Sequence, residues 1–258
     1  MYLTYYGANS WLMEFDHLRV LVDPWLVGSL VFANMNWLFK GDRQQPVESI
    51  PENIDCILLS QGLEDHAHRP TLKQLDRQIP VIASPNGAKV AQEIGYTQVT
   101  ALAPGETTTF RDSLEVRALT GAPVGIQPEN GYWLKHRPSS TTIYYEPHGF
   151  PPSDLDQLGT VDVAISPIVS LKLPVVGAII QGDKTAIDIA KTLKPQVFLP
   201  TAAGGDIEYQ GLLNEILSQV GGGEQLRAKF LKENLATQLI EPQVQTAFEV
   251  PLAIRAAT

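Results

Sequence analysis

Short apolar runs, each cut by a turn, dominate the first third of the chain. Residues 3–6, 11–15 and Leu18–Val22 read as strands, punctuated by Gly7-Ala8-Asn9-Ser10 and by Asp16-His17. Asp23-Pro24 ends the third run, and a loop over 25–46 follows that is longer than the usual connection. Residues 54–59 form a continuous apolar run, the signature of a strand buried on both faces. The pattern then predicts a short helix over 71–77 and a second buried strand at Val81–Ala83. Ser84-Pro85 opens a further helix whose apolar face carries Val90, Ala91 and Ile94.

Strands return at 99–102, Thr107–Phe110, 114–118, 132–136 and 142–145. Buried strands are expected at 161–165 and 196–199, separated by a helix near 185–193. Helices near 209–220 and 224–232 come next, split by Gly221-Gly222-Gly223, and a tail rich in Gln and Pro suggests edge strands. Meanders first and single helices afterwards give an α/β class with two sheets, in one domain over residues 1–258.

Composition narrows the setting. The chain of 258 residues is 44% apolar and carries a net charge of −9, with no basic run to neutralise phosphates, so nucleic-acid binding is not expected. One cysteine, Cys56, excludes an internal disulfide framework and Cys-based zinc sites, and fits a reducing compartment. The N-terminus lacks a signal-peptide pattern and no apolar stretch reaches the roughly 18 residues of a membrane span, so a cytoplasmic protein is expected.

The chemistry concentrates in one turn. Five histidines are present, and two of them, His66 and His68, stand with Glu64 and Asp65 directly after the buried strand 54–59. Carboxylate oxygens and neutral imidazole nitrogens are ligand types for zinc, manganese or iron, and neighbours on a turn can converge on one ion. A solvated polar turn opening the next helix would look the same in sequence. His17 and His136, on a hairpin and a strand end, are expected in solvent, and Cys56 in the core. Gly204-Gly205-Asp206 reads either as a plain turn or as an anion-binding turn.

The opening Tyr5-Tyr6-Gly7-Ala8-Asn9-Ser10-Trp11-Leu12-Met13-Glu14-Phe15, followed by Arg19-Val20-Leu21-Val22-Asp23-Pro24-Trp25, resembles that of metallo-β-lactamase-fold hydrolases. It is most similar to the branch that includes L-ascorbate-6-phosphate lactonase-like proteins. Ser60-Gln61-Gly62-Leu63-Glu64-Asp65-His66 stands where that superfamily has Ser/Thr-His-x-His-x-Asp-His. Residues 142–148 and 197–202 resemble its later site-forming strands. The resemblance implies a four-layer αββα sandwich of two mixed β-sheets flanked by helices, with the site at one edge of the sheets.

Most of the implied ligand set has been replaced. Gln61 and Leu63 occupy the first two histidine positions, Thr120-Gly121 the third, and Thr201 or Ala202 the last. Asp65 and His66 persist, and His148 aligns with the bridging aspartate. A two-metal site is therefore not expected. One divalent ion held by Asp65, His66 and His148 would match three-ligand catalytic zinc sites with an open water position. Glu64, Glu146 and His68 are then candidate proton carriers or supporting groups, and Asp23 resembles a family position that orients the ligand loops. On this reading the chain hydrolyses an ester, lactone or related bond. The alternative is a metal-free, inactive member that binds a small apolar ligand or a protein partner.

Two expectations about geometry follow. Asp65, His66 and His148 should converge within ~6 Å, with a hydrogen bond between Asp65 and His148, direct or through water, if no metal intervenes. The apolar stretches 25–39 and 168–180 keep no helical or strand period, so they should form a hydrophobic rim at the cleft. That rim would suit an apolar or amphipathic ligand, or the contact of a homodimer.

Overall fold

The computed structural model describes residues 1–124, 127–174, 177–202 and 204–253. Strands with alternating inward and outward side chains form two seven-stranded sheets. The first runs in the order Ala247–Glu249, Tyr2–Gly7, Ser10–Phe15, Leu18–Val22, Cys56–Leu59, Val81–Ala83, Val99–Ala101. The second runs Gln238–Leu239, Val197–Leu199, Val163–Ile165, Thr141–Tyr145, Gln127–His136, Leu114–Val124, Thr107–Phe110. Each sheet is antiparallel where its strands follow one another directly. It becomes parallel where crossovers intervene: Leu18–Val22 with Cys56–Leu59 and Val81–Ala83 in one, Thr141–Tyr145 with Val163–Ile165 and Val197–Leu199 in the other.

The inner faces meet in one apolar layer that joins Trp11, Phe15 and Leu58 of the first sheet to Tyr132, Tyr145 and Ile165 of the second. Outward residues of the first sheet, Leu21, Ile57 and Leu59, pack under helices Arg69–Gln74 and Pro85–Ile94 through Leu72, Ala88 and Ala91. Tyr144, Ala164 and Phe198 do the same on the other side, under helices Gly182–Leu193 and Gly223–Lys232 through Ile189, Ala190 and Phe230. The result is the expected αββα layering. Among the described residues, no helix is long and apolar enough to cross a membrane.

Three segments depart from the sequence reading. The loop 25–46 contains strands Leu30–Val31 and Lys40–Arg43, which join Ile207–Gln210 in a three-stranded sheet. Residues 168–180 are not aperiodic: Val169–Leu173 and Gly177–Gln181 pair as a hairpin, with Ser218–Gly221 on its other edge. The helix expected over 209–220 shrinks to Leu212–Ile216. Gly211 breaks it, because its φ is 104° and a Cβ there would stand 2.8 Å from the Leu38 backbone. Val175 and Val176 of the second apolar stretch lie outside the described residues.

Candidate metal centre

In sheets of this kind, ligands gather beyond the carboxyl ends of the parallel strands. Here Leu18–Val22 delivers Asp23, Cys56–Leu59 delivers the turn 60–68, and Thr141–Tyr145 delivers the loop to His148. Asp65, His66 and His148 each present a ligand atom, all within 4.8 Å of one another. The expected convergence is therefore present.

His66 is held from behind. Its Nδ1 lies 2.7 Å from Asp23 Oδ2 and 3.0 Å from Ser60 Oγ, and its Nε2 lies 3.1 Å from Asp65 Oδ2. Asp23 is fully buried and accepts further hydrogen bonds from Ser60 N at 2.7 Å, from the Ser60 hydroxyl, and from the Tyr145 hydroxyl at 2.6 Å. A carboxylate on Nδ1 fixes the ring and directs Nε2 forward, the arrangement that supports histidine ligands in metal sites. Asp23 keeps this pose in left-handed backbone, at φ 42°, a conformation costing of order 1 kcal/mol or more and found mainly where surroundings enforce it.

Burial disfavours an imidazolium at His66, but Asp65 and Asp23 outweigh it and lift the pKa to about 10. Burial likewise opposes ionisation of Asp65, yet the His66 charge keeps that carboxyl below its ordinary value. A cation arriving here would displace the proton between His66 and Asp65. His148 is neutral, because burial and the neighbouring His66 charge push its pKa down to about 3.

His148 makes no direct hydrogen bond to Asp65. Gln61 intervenes, with Nε2 2.9 Å from His148 Nδ1, and its own Oε1 has no partner. Turning that amide over would set Oε1 on a protonated Nδ1 and leave His148 Nε2 with the lone pair a metal needs. Asp65 Oδ1 is also without a partner. One carboxylate with an unpartnered oxygen and two imidazoles fit a single divalent ion, the donor set of three-ligand catalytic sites.

A second ion does not fit. Gln61 is spent on His148, and Leu63 offers only an apolar side chain to the cleft. At Gly121 a Cβ would come within 2.8 Å of Gly131 N. Thr201 Oγ1 accepts from Trp11 Nε1 at 3.2 Å and donates to Ala8 O at 3.0 Å, so it ties loops together.

The remaining candidates are placed differently. His68 turns away: its Nδ1 caps helix Arg69–Gln74 through Thr71, and Nε2 faces the Ser29 carbonyl at 3.3 Å. Burial lowers its pKa to about 4. Glu146 is fully buried and accepts from the backbone N–H groups of His148 at 3.2 Å and Phe150 at 2.7 Å. It shapes the His148 loop, and burial raises its pKa to about 7. Glu64 accepts from Ala33 N at 3.1 Å. His136, expected in solvent, is only 3% exposed, stacked 5.1 Å from Phe15. Gly204-Gly205 serves as a turn, with the Gly204 carbonyl accepting from Ala8 N at 3.0 Å.

Sequence reasoning missed Gln61 as the partner of His148 and missed Asn9 altogether. Asn9 Nδ2 donates to Asp65 Oδ2 at 3.3 Å and lies 3.3 Å from His66 Nε2. The only local hint was its place in a Gly-Ala-Asn-Ser turn between two strands.

Asn9, Asp65 and His148 border a cleft of about 620 Å³. Its other walls are mainly apolar, with Tyr209, Asn214 and Gln219 as their polar residues. Leu30, Phe32 and Phe39 come from the first apolar stretch, and Leu171, Leu173 and Ile180 from the hairpin. Phe39 stacks on Tyr209 at 5.4 Å and meets Phe32 edge-on at 5.5 Å. Trp25 and Leu26 of the first stretch are core instead.

Residues 2–202 match the beta-lactamase superfamily domain. The chain belongs to that superfamily. Its architecture is the metallo-β-lactamase fold, shared with solved structures at low sequence identity. Igni18, a novel metallo hydrolase from the hyperthermophilic archaeon Ignicoccus hospitalis, superposes with a TM-score of 0.68 at 16% identity, over 96% of this chain and 98% of that one. An isothiocyanate hydrolase from Delia radicum gut bacteria gives 0.68 at 13% identity, over 96% and 99%. The metallo-beta-lactamase fold protein YhfI from Bacillus subtilis gives 0.63 at 14%, over 96% and 99%. No curated protein matches the chain significantly in sequence.

Proposed function

We propose that this member of the superfamily is a one-metal hydrolase of an ester, lactone or related bond, with Asp65, His66 and His148 as the ligands. The observation that carries this is the convergence of those three side chains within 4.8 Å beside an open cleft. A zinc, manganese or iron ion held there would polarise a carbonyl and make bound water a nucleophile near neutral pH. The chain's own groups then have distinct tasks. Asp23 and Ser60 hold the His66 ring, and Gln61 holds His148. Asp65 Oδ1, without a partner, is the acceptor positioned to take a proton from attacking water. Asn9 Nδ2, at the cleft wall, can donate to a carbonyl oxygen. Glu146 positions the His148 loop rather than carrying protons, because backbone N–H groups occupy its oxygens. The lone buried thiol of Cys56 supports a reducing, cytoplasmic setting.

One observation favours the second reading, a metal-free binding protein. His66, charged between Asp23 and Asp65, pairs with one oxygen of each carboxylate without an ion. The experiment that separates the readings starts from chelator-treated protein reloaded with zinc, manganese or iron(II) and offered a panel of esters and lactones. The hydrolase reading expects metal-dependent turnover that His148→Ala lowers by about a hundredfold or more, at unchanged Tm. Turnover absent with every metal, or undiminished in His148→Ala, would leave the metal-free reading.

A further inference from the structure

We propose that the cleft takes a neutral amphipath, a hydrolysable carbonyl head carrying a long apolar chain. The position of the head rests on the hydrolase reading above; the chain and its neutrality rest on the cleft alone.

The size is right for one small molecule, because about 620 Å³ lies within the roughly 300–1,000 Å³ of ligand pockets. Charge decides the class. Among the described residues that line the cleft there is no lysine or arginine, and Asp65 is the one formal charge. Lys172 lies in the hairpin, but strand alternation turns it away from the face that Leu171 and Leu173 present to the cleft. A phosphate or carboxylate head would find no lysine or arginine side chain in this lining to pair with.

The apolar wall is not simply core. Leu171, Leu173, Leu213 and Leu217 are each only half-buried while facing the cleft. Ile179, also in the lining, is 36% exposed, and next to Leu213 and Leu217 in the chain Leu212 and Ile216 are 47% and 44% exposed. Surface of this kind, running from a cleft to its outer lip, fits an apolar chain that enters lengthwise. A sugar phosphate would leave all of it unused.

The test is displacement of Nile red from the wild-type chain by alcohols from hexanol to decanol, with decyl phosphate as the charged counterpart. Each added methylene should tighten binding roughly threefold to fourfold. Decyl phosphate should bind at least about tenfold more weakly than decanol. Leu173→Asn and Leu213→Asn should each weaken decanol by about tenfold at unchanged Tm; if either fails to fold, the wild-type series decides alone. A flat series, decyl phosphate binding as well as decanol, or a dimer that shuts out the dye would overturn the proposal. None of these readouts needs turnover. A flat series beside metal-dependent hydrolysis would therefore remove only the substrate class, and a steep series without hydrolysis only the catalytic reading.

Discussion

Asp23→Asn is the substitution that most sharply separates a maintained metal site from a decorative one. It changes one oxygen into an amide nitrogen and leaves the volume intact. In the wild type the carboxylate accepts from Ser60 N, the Ser60 and Tyr145 hydroxyls and His66 Nδ1, with no exposure to water. Asparagine can keep the Ser60 N bond through its remaining oxygen, the Ser60 hydroxyl can rotate to accept from the new NH2 group, and the Tyr145 hydroxyl can turn to the Asn9 carbonyl at 3.3 Å. His66 Nδ1 has no such freedom. Facing an NH2 group it must become an acceptor, which moves the proton to Nε2 and removes the lone pair that a metal would use. Loss of a supporting carboxylate of this kind typically weakens metal binding by about 10–100-fold, which is about 1.4–2.8 kcal/mol.

The same change removes one of the two counter-charges of a buried imidazolium. Breaking a buried pair costs roughly 3–5 kcal/mol, and the ring can recover part of this by deprotonating. A net loss of about 2–4 kcal/mol is expected, which leaves a domain of ordinary stability still folded. Urea unfolding in the presence of chelator measures the stability loss, and competition against a chromophoric chelator measures zinc affinity. Stability within about 0.5 kcal/mol of wild type, together with unaltered zinc affinity, would refute the role given to Asp23.

Two further outcomes follow from local geometry. Gly149→Ala should destabilise the chain by more than about 1 kcal/mol and weaken zinc binding, because Gly149 has φ 76° and a Cβ there would stand 2.9 Å from Thr185 Oγ1, displacing the loop that carries His148; urea titration and the same chelator competition check both effects. Cys56 is 1% exposed, and burial pushes its thiol pKa up to about 12. It should therefore resist a thiol-specific disulfide reagent in the folded chain and react fully in denaturant.

The legible parts of this protein are those decided by local pattern. Leu18–Val22, Val81–Ala83 and Thr107–Phe110 stand where their apolar and β-branched residues put them, and the resemblance of the opening and of 60–66 led to the superfamily domain matched over 2–202. Residues 168–180 misled because a hairpin with one face on a cleft and one edge on a distant strand, Ser218–Gly221, has no single buried side to show in sequence. At the site, Asp65, His66 and His148 were legible as a set. What each of them bonds to was not. Gln61 reaches His148 across 87 positions and Asn9 reaches Asp65 across 56, and such pairings exist only once the sheets have closed. His68 was a natural candidate beside His66, yet the proline-opened helix after it needed a cap and took the ring for that purpose.

The central claim is one metal ion per chain, held by Asp65, His66 and His148. Calorimetric titration of zinc into chelator-treated wild type, alongside Asp65→Asn and His148→Ala, tests it most directly. The account predicts one equivalent bound by the wild type and affinity lower by at least about a hundredfold in each variant. Two equivalents, none, or a variant that binds as tightly as wild type would contradict it.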